Sequence, residues 1–200
     1  MIFEELVHLM RGLLARAAQK VWIALEAANA PYEMEEISLY GAGGKPEWFM
    51  KLNPKGTVPV LVCHGGAVRI RDSDEILDGF ATAVENGAKL VPGGKEEKIR
   101  TFRSALNEFL PIGKKAVLGG GKDKMWKKLA ELDSMIEGPY VCGDQLSVAD
   151  CAAFPFLWRI DTELGPVDDH GLDKMRAWLD KCENNEAFSK TIQSSWWWWW

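Results

Sequence analysis

The sequence has few residues of the kinds that build metal sites or disulfide frameworks. Its 200 residues include three histidines and four cysteines. The cysteines, at positions 63, 142, 151 and 182, are widely spaced and form no C-x-x-C pair. Because zinc sites and disulfide scaffolds need closely patterned ligands, the sequence predicts no metal site and no set of disulfides. The thiols are expected to be reduced and mostly buried, as in a cytosol-like compartment.

Long apolar runs and an excess of basic residues are also missing. No stretch approaches the roughly 18 apolar residues of a membrane-spanning helix, and the N-terminus lacks the pattern of a secretory signal. The 24 Lys and Arg are outnumbered by 29 Asp and Glu, which gives a formal net charge of −5. Basic residues are interspersed with acids, and no basic stripe is evident. We therefore expect a cytoplasmic protein, with an organelle not excluded, that binds no nucleic acid.

The apolar content of 47% is high enough for a sizeable core. Strand-like and helical patterns alternate as far as residue 84, whereas everything after residue 97 has helical spacing. Between them, glycines and a proline break both periods, which is typical of a linker. The predicted organisation is an α/β domain over residues 1–84, a linker over 85–97, an all-α domain over 98–193 and a Trp-rich tail over 194–200.

The stretch from residue 45 to 73 contains several signals in a fixed order. Pro46 in KPEWF suits the first turn of a short helix, and the turn cluster NPKG leads into TVPVLV, a β-branched run that predicts a buried strand. Pro59 cannot donate to a strand ladder, which predicts an edge or bend with a cis Val58–Pro59 bond. Gly65 and Gly66 mark the turn to a second strand over residues 67–70.

Asp72 and Ser73 follow this hairpin and precede an apolar helical pattern that continues to Val84. Either residue would cap that helix and leave backbone N–H groups facing an anion. Further along, GDQLSVAD at residues 143–150 pairs Ser147 with Asp150. That spacing predicts a capping box that opens a buried helix and has no chemical role.

These motifs resemble the glutathione transferase superfamily, most closely its omega-like branch, which includes dehydroascorbate reductases and lambda-like enzymes. KPEWF, NPKGTVPVLV and DS have the family's order, with about one extra residue in the hairpin, and the resemblance covers about residues 6–193. It implies an α/β thioredoxin-like N-terminal domain followed by an all-α helical C-terminal domain, the glutathione transferase fold.

The resemblance also implies a glutathione site. Lys45 would pair with the glycyl carboxylate, and Val58, beside Pro59, would form two backbone hydrogen bonds with the cysteinyl unit. Asp72 and Ser73 would hold the γ-glutamyl amine and carboxylate. Glutathione is thus the expected substrate or ligand, with an apolar small molecule as a second ligand. Homodimers are usual in this family, although no residue of this sequence argues for one.

Two interpretations fit the first 31 residues. By periodicity, apolar residues from Phe3 to Ala28 form the stripe of one long helix, with Gly12 as its weak point. By resemblance, residues 6–10 form the first strand, Arg11 and Gly12 open a loop, and a helix starts near Ala15. We favour strand then helix, because a thioredoxin-like sheet places its first strand centrally and would be split without it.

The family's catalytic Cys or Ser is missing. It lies at the start of the first helix, where Ala15 aligns, with Arg16 at the place of the usual proline. Residues 1–31 contain no Cys, Ser, Thr or Tyr, so reactions through an enzyme mixed disulfide are predicted to be weak or absent. Conjugation is less demanding, because a cation near the bound thiol could lower its pKa. Arg11 and Arg16 are candidates for that role, or are simply two solvated arginines.

The tail is unusual, because Trp196, Trp197, Trp198, Trp199 and Trp200 follow one another without any packing period. It could pack on the protein itself, bind a partner protein or membrane interface, or have no role. Three functions therefore stay open: glutathione conjugation, binding of glutathione or apolar ligands without chemistry, and an interaction subunit anchored by the tail.

Overall fold

The computed structural model describes residues 7–11, 16–38 and 44–192. The strands in these residues are β1 (Val7–Arg11), β2 (Tyr32–Glu36), β3 (Val60–Cys63) and β4 (Val68–Ile70). The helices are α1 (Arg16–Ala28), α2 (Glu47–Leu52), α3 (Ser73–Asp78), α4 (Phe80–Ala83), α5 (Glu96–Val117), α6 (Lys122–Ser134), α7 (Val148–Leu164), α8 (Asp173–Glu183) and α9 (Glu186–Ser189). The predicted α/β part followed by an all-helical part is confirmed.

The four strands form one mixed sheet in the order β2-β1-β3-β4. Strand β1 is parallel to β2 and antiparallel to β3, with Met10 opposite Val60, and β3 is antiparallel to β4. The first strand is therefore central. This confirms strand then helix for the start of the chain and shows that a single long helix is wrong.

Side chains of β3 alternate between two cores, as the period of a strand requires. Leu61 and Cys63 join the large core, which also contains α1, α3 and the helices of the second half. Val60, with Ile37 and Phe49, forms a small separate cluster. The sheet thus has α2 on one face and α1 with α3 on the other.

Helix α7 is the central helix of the second half, since its residues from Val148 to Pro155 are all buried. It packs against α1 and α5. The predicted capping box is present at its start: Ser147 N and Oγ donate to Asp150 Oδ2 over 2.9 and 2.8 Å. The box confirms the helix start that the sequence predicts.

Two predictions about helix ends are wrong. The helix expected from Ser73 to Val84 is divided at Gly79 into α3 and α4, because glycine costs about 1 kcal/mol relative to alanine within a helix. Helix α5 continues past Pro111 and Gly113 to Val117. Pro111 and Asn107 are exposed, so water can solvate the Asn107 carbonyl that loses its helical partner.

The predicted linker is partly ordered against the rest of the protein. It contains a 3-10 turn, Gly87–Leu90, which packs on α1 and α4 and buries Leu90. Its last two residues, Glu96 and Glu97, already belong to α5. In the part of the chain that the structure describes, no helix is both long and apolar enough to cross a bilayer.

Candidate ligand site

The topology brings several predicted site residues to one edge of the sheet. Because β3 is antiparallel to both β1 and β4, the residues before β3 lie at the same edge as the residues after β1 and β4. Val58 and Pro59 precede β3, Asp72 and Ser73 follow β4, and Arg16 opens the helix after β1. This edge is called the site edge below.

The loop before β3 is held by Asn53, which is fully buried. Its Nδ2 donates to Thr57 O over 2.7 Å, and its Oδ1 accepts from Lys55 N over 3.2 Å. The Val58–Pro59 bond that follows is cis. Among the described residues, Val58 N–H and C=O have no hydrogen-bond partner. The loop therefore presents an open main-chain donor and acceptor at the site edge.

Lys45 lies across this loop at Gly56, whose φ is +63°. A Cβ added at Gly56 would stand 2.9 Å from Lys45 Nζ and 3.2 Å from Met50 Sδ. The close approach and the positive φ both require glycine there. Lys45 is half-buried, and its ammonium has no acidic partner in the described residues. It is available to an anion bound beside the loop.

Asp72 and Ser73 lie at the start of α3. Asp72 Oδ1 accepts from Asp74 N over 2.8 Å and from Glu75 N over 3.2 Å, so it caps the helix. Its Oδ2 has no partner among the described residues, and neither does the hydroxyl of Ser73, which is buried. The turn is fixed by Arg71, whose Nε donates to Leu52 O over 3.0 Å.

An ion network behind α3 was missed by the sequence analysis. Lys20 of α1, which is buried, reaches Asp74 Oδ1 at 2.8 Å. Arg103 of α5, also buried, donates to Asp74 Oδ1 over 3.0 Å, to Asp74 O over 3.1 Å, and to Asp78. The signal in the sequence was weak, because a lysine on the apolar face of a helix usually extends its ammonium into water.

The network sets the charge of Asp74. Partial burial alone would raise the pKa of this carboxyl, but the hydrogen bonds and charges of Lys20 and Arg103 outweigh burial and lower its pKa below the ordinary 3.8. The first turn of α3 is thereby tied to both halves of the chain, and Ser73 keeps its place at the site edge.

At the head of α1, Arg16 is half-buried rather than solvated. Its Nη1 donates to Pro155 O of α7 over 3.4 Å. Burial and the nearby Arg159 lower the pKa of Arg16 from 12.5 to about 10, partly opposed by Glu163. Arg16 thus stays charged at neutral pH in a partly desolvated place, where a charge acts strongly on a neighbouring group.

Two other predictions for this region fall on residues that the structure does not describe. Ala15 lies outside the described ranges, and so does the side chain of Arg11. Of the two arginines predicted to stabilise a thiolate, only Arg16 can therefore be placed. The Trp tail, with all of residues 193–200, also lies outside the described ranges.

No cysteine of the chain lies at the site edge. Cys63 ends β3 at the opposite edge of the sheet, and the other three lie in the helical part. Burial raises the pKa of Cys142, Cys151 and Cys182, which makes these thiols poor nucleophiles. Within the described ranges, no three His, Cys, Asp or Glu side chains cluster as a metal site would require.

Comparison with known proteins gives matches over both halves of the chain. The family model "Glutathione S-transferase, N-terminal domain" matches residues 16–83, and "Glutathione S-transferase, C-terminal domain" matches residues 92–181. Together they leave only the first 15 residues, a short central segment and the C-terminal end unmatched.

Individual relatives are similar over most of this chain. It is 27% identical over 180 residues to the chloroplastic "Glutathione S-transferase DHAR3" of Arabidopsis thaliana, covering 86% of this chain and 67% of that protein. It is 28% identical over 181 residues to the cytosolic "Probable glutathione S-transferase DHAR1" of Oryza sativa, covering 87% and 82%. The crystal structure of glutathione transferase Omega 2S from Trametes versicolor in complex with 2,4-dihydroxybenzophenone has a TM-score of 0.79 at 21% identity, covering 94% and 93%.

Proposed function

Because the chain belongs to the glutathione transferase superfamily, we propose that it binds glutathione at the site edge. One observation carries the proposal: the polar groups at this edge that lack partners in the described residues match those of the tripeptide. They are Lys45 Nζ, the N–H and C=O of Val58, Asp72 Oδ2, and the hydroxyl of Ser73.

Each group has a counterpart on glutathione. The Lys45 ammonium would pair with the glycyl carboxylate, and the main chain of Val58 would exchange two hydrogen bonds with the cysteinyl unit. Asp72 Oδ2 would accept from the γ-glutamyl ammonium, and Ser73 would donate to the γ-glutamyl carboxylate. Since each contact uses a group that the protein leaves open, binding sacrifices no internal hydrogen bond.

For the chemistry, we propose conjugation of the glutathione thiol to an electrophile. The thiol proton passes to solvent, the sulfur attacks the electrophilic carbon, and a sulfur–carbon bond forms as the leaving group departs with its electron pair. Arg16 would stabilise the thiolate through its charge, and the open N–H groups at the start of the 13-residue helix α1 would add to it.

A second candidate function is binding without chemistry. It is favoured by the lack of Cys, Ser, Thr and Tyr in residues 1–31 and by the burial of every cysteine. In that case glutathione or an apolar small molecule would occupy the site unchanged. Turnover above background with a chloronitrobenzene-type electrophile supports conjugation, and its absence together with calorimetric binding of glutathione supports the second candidate.

Three further expectations stay predictions. The cytoplasmic location is one, and the names of the relatives include both a cytosolic and a chloroplastic protein. A homodimer is another, to be checked by light scattering. Binding of a partner through Trp196–Trp200 is the third, and deletion of these five residues should release that partner in a pull-down.

Lys45→Ala is expected to weaken glutathione binding about five- to tenfold in isothermal calorimetry, because one charge-assisted pair contributes about 1 kcal/mol or somewhat more when half-buried. Lys55→Ala is the matched control, since Lys55 is an exposed lysine of the same loop. No heat with millimolar glutathione would end the proposal, and equal weakening in both variants would remove Lys45 from the site.

Arg16→Met is expected to raise the pKa of the bound glutathione thiol by about one unit toward its ordinary value near 8.5. The thiolate fraction near pH 7 then falls up to about tenfold, and the conjugation rate falls with it. A pH titration of the ultraviolet thiolate absorbance of the complex measures this shift. Arg100→Met, an exposed arginine paired with Glu97, is the control, and an unchanged thiol pKa in Arg16→Met would exclude the role of Arg16.

A further inference from the structure

The turn between α5 and α6 contains a local concentration of positive charge. Residues 114–128 include six lysines and one aspartate, in a chain whose net charge is −5. The expectation that basic residues are evenly interspersed with acids is therefore wrong for this segment. We define the lysine tip as the five exposed lysines together with Leu118: Lys114, Lys115, Lys122, Lys124, Lys127 and Leu118.

These five lysines are not neutralised by the fold. Among the described residues none of them forms an ion pair, whereas the neighbouring Lys128 pairs with Glu131 at 2.6 Å. Lys122 and Lys124 also lie in the first turn of α6, where the helix dipole disfavours positive charge. The arrangement costs folding free energy and leaves an attractive surface for an anionic partner.

The apex of the tip is apolar. Leu118 is 77% exposed, the most exposed large apolar side chain in the described residues. It follows the last residue of α5 and precedes three glycines, of which Gly119 and Gly121 have positive φ. Lys115 lies across the turn, because a Cβ at Gly120 would be 3.5 Å from its Cε. The tip is thus a narrow turn with one apolar side chain at its apex and lysines on both sides.

We propose that the lysine tip binds the surface of a membrane that contains anionic lipids. Each lysine near such a surface contributes about 1 kcal/mol of attraction, and Leu118 can enter the interface between head groups and acyl chains. This is surface association, which needs no membrane-spanning helix.

Nucleic acid fits the tip less well. The tip has no arginine for bidentate contacts with phosphates or bases. The nearest aromatic ring, Trp126, is stacked on His170 with ring centroids 3.6 Å apart, so its face is not free to stack on a base. An exposed leucine at the apex also has no counterpart on a phosphate backbone.

Membrane binding leaves the site edge free. Arg103 contacts α3 near the site edge, and Leu118 lies 15 residues further along the same helix. At about 1.5 Å per residue the two are about 22 Å apart. The proposal is therefore independent of glutathione binding, and the two can be tested separately.

The test is co-sedimentation of the full chain with vesicles of phosphatidylcholine alone or with about 30% phosphatidylserine, a membrane-like anionic content. Binding is expected only to the anionic vesicles and should disappear in about 0.5 M salt, because screening removes the attraction. The double variant Lys114→Glu/Lys122→Glu should bind at least about tenfold more weakly. Leu118→Ser should weaken binding more modestly.

The matched control is Lys55→Glu/Lys89→Glu, which changes the total charge equally at two exposed lysines outside the tip. It should bind like the unmodified protein. Equal loss in both double variants would show that overall charge decides binding. No preference for anionic vesicles, or binding to double-stranded DNA but not to vesicles, would overturn the proposal.

Discussion

Asp150→Ala is expected to lower the free energy of unfolding by about 4 kcal/mol, the largest stability effect that we predict from a single substitution in this chain. Asp150 is fully buried and accepts four hydrogen bonds: from Val141 N at 2.8 Å, Trp178 Nε1 at 2.8 Å, Ser147 N at 2.9 Å and Ser147 Oγ at 2.8 Å. Alanine leaves these donors in the core without an acceptor, and each buried unsatisfied donor costs about 1–3 kcal/mol.

Urea unfolding of Asp150→Ala and Asp144→Ala measures this effect. Asp144 is an exposed acid of the same loop, and its replacement should change stability by no more than about 0.5 kcal/mol. Asp150→Asn should fall between the two, because the amide keeps one acceptor oxygen but turns an N–H group toward Ser147. Similar midpoints for the two alanine variants would contradict the assignment of Asp150 as the main buried acceptor.

Arg103→Met should lower the free energy of unfolding by about 2 kcal/mol at neutral pH, because hydrogen bonds to charged groups contribute about 1.5–3 kcal/mol. The figure is kept below that of a fully buried pair, since the side chain of Asp74 is 36% exposed and water screens it. The substitution removes the contacts with Asp74 and Asp78 and keeps the pair of Lys20 with Asp74.

The same variant should be less sensitive to acid. The pKa of Asp74 is lower in the folded protein than its ordinary 3.8, so its contribution to stability is present above that value and is lost as the pH falls through the folded pKa. Arg103→Met brings the two pKa values closer, which makes the fall in stability below about pH 4 less steep. Denaturation at several pH values measures this, with the exposed Arg100→Met as control. Parallel curves for Arg103→Met and the unmodified protein would contradict the role of the network.

Local patterns in the sequence predict much of this fold because they act over a few residues. The apolar run TVPVLV gives β3, and the spacing of Ser147 and Asp150 gives the start of α7. Pro111 failed as a helix end because its effect depends on which face of α5 meets water. That face is decided by tertiary packing, which short-range patterns do not contain.

The candidate site divides in the same way. Lys45, Val58, Asp72 and Ser73 come from motifs, and the sheet topology brings Val58, Asp72 and Ser73 to one edge, with Lys45 packed across the adjoining loop. The pair of Lys20 with Asp74, 54 residues apart, has no local signal. Nor do the bonds from Val141 and Trp178 to Asp150, since a capping box reports only its own four residues. The lysine tip was hidden for another reason, because a total charge of −5 averages it with the acids elsewhere.

The large core has a consequence for how the chain holds together. It is continuous from Val7 in the first strand to Phe188 in the last helix, whereas the apolar cluster that belongs to the α/β part alone centres on Ile37, Phe49 and Val60. That cluster is too small to offset the conformational entropy of its own chain segment. The two halves are therefore one cooperative unit, in which neither half is an autonomous module and each acts as a template for the other.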